Sequence, residues 1–184
     1  GAPESRPGES ENSSARVLSD EGLMLVVAIV GRQGSGKTTL IERLIPALHG
    51  RGLTVSTIKH THHHRIELDV PGKDSHRHRL AGASEVIVAS DAGWARIAAR
   101  PEPASLPVLV AQLRPVDIVL VEGFKQLEGL RRVEVFRGEG QPLALADPGI
   151  AAVAVPGGVP PAGFRGVTLS LEDTPALLEF ILSA

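Results

Sequence analysis

Gly31-Arg32-Gln33-Gly34-Ser35-Gly36-Lys37-Thr38 decides the fold. The stretch matches G-x-x-x-x-G-K-[S/T], the phosphate-binding P-loop. Its flanks are those the motif requires. Leu23 to Val30 (LMLVVAIV) is an uninterrupted apolar run, the pattern of a strand buried on both faces. Thr39 to Leu48 places Leu40, Ile41, Leu44, Ile45 and Leu48 at helical spacing. The glycines therefore fall between a strand and the start of a helix. There the backbone can approach phosphate oxygens, and successive N–H groups form an anion nest at the positive end of the helix. Gly34, Ser35, Gly36, Lys37, Thr38 and Thr39 are the expected phosphate ligands. Lys37 is expected on the β- and γ-phosphates and the Thr38 hydroxyl on Mg2+.

Around this centre, strand and helix patterns alternate. Gly50-Arg51-Gly52 ends the first helix, and Leu53–Ile58 follows as a strand. Thr61–Arg79 reads as a long polar loop with a helix beginning near Asp74. Ser84–Ser90 and Trp94–Ala99 read as strands of a hairpin across Asp91-Ala92-Gly93. Leu106–Leu113 reads as a short helix. Val116–Val121, Arg132–Phe136 and Ile150–Val155 are further strands, and Glu172–Leu182 is a closing helix. The alternation predicts an α/β P-loop NTPase fold, a mostly parallel sheet with helices on both faces. Residues 1–20 are expected to be a disordered tail, and residues 21–184 a single nucleotide-binding domain.

Composition narrows the function classes. Of 184 residues, 42% are hydrophobic and 22% charged, as in ordinary globular domains. A net charge of −2 and 3% aromatic content argue against a nucleic-acid surface. The absence of cysteine excludes disulfides and thiolate metal sites and fits a reducing, cytoplasmic setting. No apolar run approaches the roughly 20 residues of a membrane span.

Other residues join the P-loop by position. In an open parallel sheet, ligands bind at the carboxyl ends of strands. Val116–Val121 ends in Glu122 in the manner of a Walker-B strand. That carboxylate is a candidate for holding Mg2+ or orienting an attacking water. Asp117, at the other end of the strand, reads as a capping or surface charge. Lys59 and His60 leave the preceding strand at the same edge as the P-loop. The following polar loop corresponds to a switch segment, with Asp69 as a candidate metal-linked or water-orienting acid. Six of the seven histidines lie between His60 and His78. His62, His63 and His64 are adjacent, so their side chains diverge, which suits one metal ion poorly.

Several segments taken together resemble the molybdopterin-guanine dinucleotide biosynthesis protein B (MobB) family. They are GRQGSGKTTL (31–40), IKHTHH (58–63), DVPGKDSHRHR (69–79), AGA (81–83) and VEGFK (121–125). The resemblance implies a GTP-binding protein with weak GTPase activity, often a homodimer, that assists the guanylyltransferase joining GMP to molybdopterin. It implies GTP phosphates on Gly34 to Thr39 and Mg2+ near Asp69 and Glu122, with Glu67 as the alternative to Asp69 for the family's acid. It also implies a neighbouring pocket lined by Lys59, His60, Lys73, Asp74 and Arg77, and molybdopterin is a further candidate ligand of the protein. No Asn-Lys-x-Asp segment reads guanine, so base preference rests on the resemblance, with Asp147 and Pro156-Gly157-Gly158 as candidates to approach the base. Two other function classes compete: a histidine-rich metallochaperone GTPase for nickel or zinc, and a P-loop small-molecule kinase.

Overall fold

The structure, a computed structural model, describes residues 16–19, 22–61, 71–98, 104–124 and 129–183. The chain forms two compact units. The larger comprises residues 1–60 and 110–184, and the smaller comprises residues 61–109.

The larger unit is built on strand β2 (Gly22–Val30). From Val26 to Val30 no residue is more than 1% exposed, because the strand is central and covered on both faces. Strands β3 (Val55–Lys59), β6 (Ile118–Glu122), β7 (Arg131–Val135), β8 (Ile150–Val155) and β9 (Val167–Ser170) join it in the order β3-β6-β2-β7-β8-β9. Each of these pairings is parallel. The mostly parallel α/β sheet expected from the alternating pattern is therefore present. A short strand β1 (Arg16–Ser19), which sequence patterning left in the tail, pairs antiparallel with the start of β2.

Helix α1 (Lys37–His49) carries Leu40, Ile41, Leu44 and Leu48 onto one face of the sheet. Helix α4 (Thr174–Leu182) packs Leu177, Leu178 and Ile181 into the same cluster. They meet Leu25, Val27 and Ile29 of β2 and Val133 and Val135 of β7. Each fully buried leucine contributes about 1.5–3 kcal/mol. Gly52, not Gly50, takes the left-handed conformation (φ 77°) that turns the chain out of α1. Its N–H donates to His49 O at 2.9 Å.

On the opposite face, β7 presents two buried charges. The Glu134 carboxylate (1% exposed) accepts the amides of Leu143 and Ala144 at 2.8 and 2.9 Å. Arg132 (6% exposed) makes a bidentate pair with Asp147 at 2.6 and 2.9 Å. Together they fasten the segment between β7 and β8, including the 3-10 turn Leu143–Leu145, to the sheet. The Arg132 hydrogen bonds hold the Asp147 carboxyl below its ordinary pKa. A lowered folded-state pKa contributes stability at pH values above the unfolded value of 3.8, and that stability is lost as pH falls through the folded value. Asp147→Asn should therefore destabilise the protein at neutral pH and lose less stability than the parent below pH 3.8. The expected cost is about 1–3 kcal/mol, less than for a fully enclosed pair, because 37% of the Asp147 side chain is exposed. Urea denaturation at several pH values measures both effects.

The smaller unit contains helix α2 (Asp74–Leu80) and the hairpin of β4 (Glu85–Ser90) and β5 (Gly93–Ala98), with the turn where the sequence puts it. Helix α3 (Leu106–Val110) follows at the boundary of the two units.

Candidate functional site

Because the six-stranded path is parallel, β2, β3, β6, β7, β8 and β9 all end at one edge. The P-loop follows β2, between neighbours reached by crossovers in opposite directions, the crevice where open α/β sheets bind ligands.

The loop's geometry depends on two glycines. Gly31 has φ 146°, and a Cβ there would lie 2.6 Å from Val135 O and 2.7 Å from Ser35 Oγ. Gly36 is the left-handed N-cap of α1 (φ 93°) and lies against the Arg137 guanidinium. No side chain caps α1, and its first turn contains no acid. Leu40 N donates to Gly36 O at 3.0 Å, so the helix ladder begins at that residue. Ser35 N donates to Arg32 O at 3.3 Å, and the amides of the first turn have no acceptor within the helix itself. By contrast, α4 is capped conventionally, with Asp173 accepting from Ala176 N at 3.0 Å. The Lys37 ammonium folds back over the loop and donates to Gly31 O at 3.2 Å and Arg32 O at 2.7 Å. Ser35 Oγ is buried and has no hydrogen-bond partner among the described residues. A positive helix end without its own acid, beside an ammonium, is a receptor for anions.

Glu122 faces this loop. It ends β6 in register with Ile29 of β2 and Lys59 of β3, so neighbouring strands deliver all three to one point. The Thr38 hydroxyl donates to the Glu122 carboxylate, with Oγ1 2.9 Å from Oε1 and 3.1 Å from Oε2. Lys59 Nζ lies 3.7 Å from Oε1, and the Glu122 side chain is only 14% exposed. A hydroxyl and a carboxylate so paired suit a hard divalent cation, which takes oxygen ligands. His60 continues from β3, donates its amide to Glu122 O at 2.9 Å and sets its ring 4.6 Å from that of Phe124. Phe124 has φ 52°, a costly conformation for a bulky residue. Such strain collects at functional sites, and here it lies two residues after Glu122.

The structure thus brings together Gly34, Ser35, Gly36, Lys37, Thr38, Thr39, Lys59, His60 and Glu122 within the larger unit. Asp69 and His62 to His64 lie outside the described residues. Lys73, the N-cap of α2, belongs to the smaller unit, as do Asp74 and Arg77, an exposed pair 3.6 Å apart. Among the described residues no three His, Cys, Asp or Glu stand together as a metal site. Asp117 is a cap, as its position suggests: it accepts the Thr54 amide at 2.7 Å and the Thr54 hydroxyl at 2.6 Å, tying β6 to β3. Asp147 precedes β8, at the edge opposite the P-loop, and is engaged by Arg132. Sequence patterning missed Arg137, whose Nε donates to Ser35 O at 3.0 Å. Its place just past the Arg132–Phe136 strand was the available signal.

The residues present therefore fit a triphosphate and a divalent ion. Comparison with known proteins names the family. The family model for molybdopterin guanine dinucleotide synthesis protein B, MobB, matches residues 26–156. The chain belongs to the MobB family. It is 42% identical over 159 residues to a molybdopterin-guanine dinucleotide biosynthesis adapter protein of Haemophilus influenzae, covering 85% of this chain and 86% of that one. The Escherichia coli K12 protein of the same description is 34% identical over 172 residues, 90% of this chain and 95% of its own. The crystal structure of a MobB homologue from Bacillus stearothermophilus superposes with a TM-score of 0.61 at 28% identity, covering 86% of this chain and 99% of that one. The family expected from the sequence motifs is thus the family found. Among the described residues no helix is long and apolar enough to cross a membrane.

Proposed function

We propose that this chain is a GTP-binding adapter in molybdopterin guanine dinucleotide synthesis, with slow Mg2+-dependent GTPase activity of its own. The Thr38–Glu122 hydrogen bond beneath an acid-free helix N-terminus carries this reading. It joins the phosphate-binding and ion-binding halves of one site, in a chain whose relatives are described as adapters of that synthesis.

The amides from Gly34 to Thr39 and the Lys37 ammonium would hold the phosphates. Thr38 and Glu122 would hold Mg2+, which supplies neutralisation of phosphate charge when bound. Lys59, beside Glu122, keeps that carboxylate oriented and adds a cation at the rim. Asp69 is proposed as the acid of the switch segment. Slow hydrolysis is expected of the isolated chain, since a stabilising arginine contributes about 10³–10⁵ in rate and partners often supply it. The protein is proposed to act as a homodimer in the cytoplasm, alongside the guanylyltransferase that attaches GMP to molybdopterin.

Reconstitution tests this role. Adding the protein to that transferase, with Mg·GTP and molybdopterin, should raise the yield of the dinucleotide. Lys37→Ala should remove the gain. A transferase equally active with and without the protein would contradict the adapter role.

A further inference from the structure

The nucleotide site leaves the choice of base open, and the inference below rests on the GTP-binding reading. A divalent ion bound at a P-loop would neutralise the charge of the terminal phosphates. Thr38 and Glu122, the pair suited to that ion, meet on the β6 side of the loop. The terminal phosphate belongs on that side. The nucleoside end must then run the other way along the edge, past the ends of β7, β8 and β9. Three strand spacings separate β9 from β2, roughly 14 Å, comparable with the span from the β-phosphate of an extended nucleotide to the far edge of its base.

The groups on that edge are linked to the P-loop. Arg137, after β7, donates to Ser35 O at 3.0 Å. Arg43 of α1 donates to Leu171 O just past β9, and Leu171 N donates to Val155 O of β8 at 2.8 Å. The next residue is Glu172. Its Oε2 accepts the Gly157 amide at 2.8 Å and the Ser170 hydroxyl at 2.7 Å. Its Oε1 has no hydrogen-bond partner among the described residues, and the residue is exposed. Gly157, beside it, has open space where a Cβ would stand. The Gly157 amide, the Ser170 hydroxyl and the charge of Arg137 all favour the ionised carboxyl.

We propose that Glu172 is the guanine-selecting residue, the open Oε1 of its fixed carboxylate accepting from both the N1–H and the 2-amino group of the base. Adenine presents an acceptor at N1 and no 2-amino group, so it cannot make this pair. Asp147, the other acid near β8, is at the wrong edge and already paired.

Affinity for Mg·GTP, Mg·ATP, Mg·ITP and Mg·XTP (xanthosine triphosphate), measured by calorimetry on the parent, Glu172→Gln and Glu172→Ala, tests this. The parent should prefer GTP to ATP and XTP by roughly 10- to 100-fold, the scale of a bidentate base contact. Inosine triphosphate, lacking the 2-amino group, should bind the parent several-fold more weakly than GTP. Glu172→Gln should lose GTP affinity while XTP affinity does not fall, because the amide oxygen stays with the Gly157 N–H and the Ser170 hydroxyl and the NH2 group left to the base can donate to the C2 oxygen of xanthine but cannot accept from guanine. Glu172→Ala should bind GTP and ATP alike. ATP affinity should not fall in either variant, which also reports that each is folded. Should a variant not fold, the GTP-to-inosine comparison on the parent decides, and equal affinities there overturn the assignment. Unchanged GTP-to-XTP preference in Glu172→Gln would overturn it while leaving nucleotide binding intact. A parent chain that binds no triphosphate would overturn the underlying reading and the assignment together.

Discussion

Lys37→Ala is expected to weaken Mg·GTP binding by about 10²–10³-fold, since charge-assisted bonds to phosphate are each worth about 1.5–3 kcal/mol. The reason lies in where the ammonium is held. Bound to Gly31 O and Arg32 O, it is already folded over the loop before any anion arrives. Alanine removes a positive charge placed in advance, so little of the loss can be recovered by other side chains. The change should leave the fold intact, because α1 is anchored by Leu40, Ile41, Leu44 and Leu48 on its other side. Calorimetry gives the affinity and thermal unfolding gives the control. A variant with the parent's affinity would show that the loop does not grip phosphate through Lys37.

The second large effect is on hydrolysis. Glu122→Gln should slow GTP turnover by about 10²–10³-fold, within the usual range for a positioned acid–base group. Binding should be largely retained. The amide can still accept from the Thr38 hydroxyl, but it lacks the charge that a divalent ion or an attacking water requires. Since the Glu122 side chain is 14% exposed and Lys59 is 3.7 Å away, little solvent is available to replace that charge. Single-turnover hydrolysis at saturating Mg·GTP separates rate from affinity. An unchanged rate would remove Glu122 from the chemistry and leave it a purely structural strand end.

Much of this fold can be read from the chain because its central elements have unambiguous signals. The unbroken LMLVVAIV run, too short for a typical helix and ended by the P-loop glycines, fits a strand covered on both faces, and the spacing after Lys37 fits a helix. Glu122 was legible for a similar reason: one carboxylate ends one apolar strand beside a P-loop. Elsewhere the signals were weaker than the structure. Strand β9 is four residues after a proline- and glycine-rich stretch, and it exists through pairing with β8 rather than through its own pattern. The alternation Arg-Val-Glu-Val in β7 suggests one wet face, yet Arg132 and Glu134 are buried by partners nine or more residues away, which no local pattern reveals. Arg137 and Glu172 are similar cases. Their chemistry depends on which strand ends stand side by side, and that order is set by sheet topology.

The central claim is that the amides between Gly31 and Thr39, backed by Lys37, hold a nucleoside triphosphate. A crystal structure with Mg2+ and a non-hydrolysable GTP analogue tests it directly. The account predicts phosphate oxygens within hydrogen-bonding distance of those amides and a metal ion on Thr38 Oγ1. An analogue bound elsewhere, with the loop bare and Thr38 still bonded to Glu122, would contradict it.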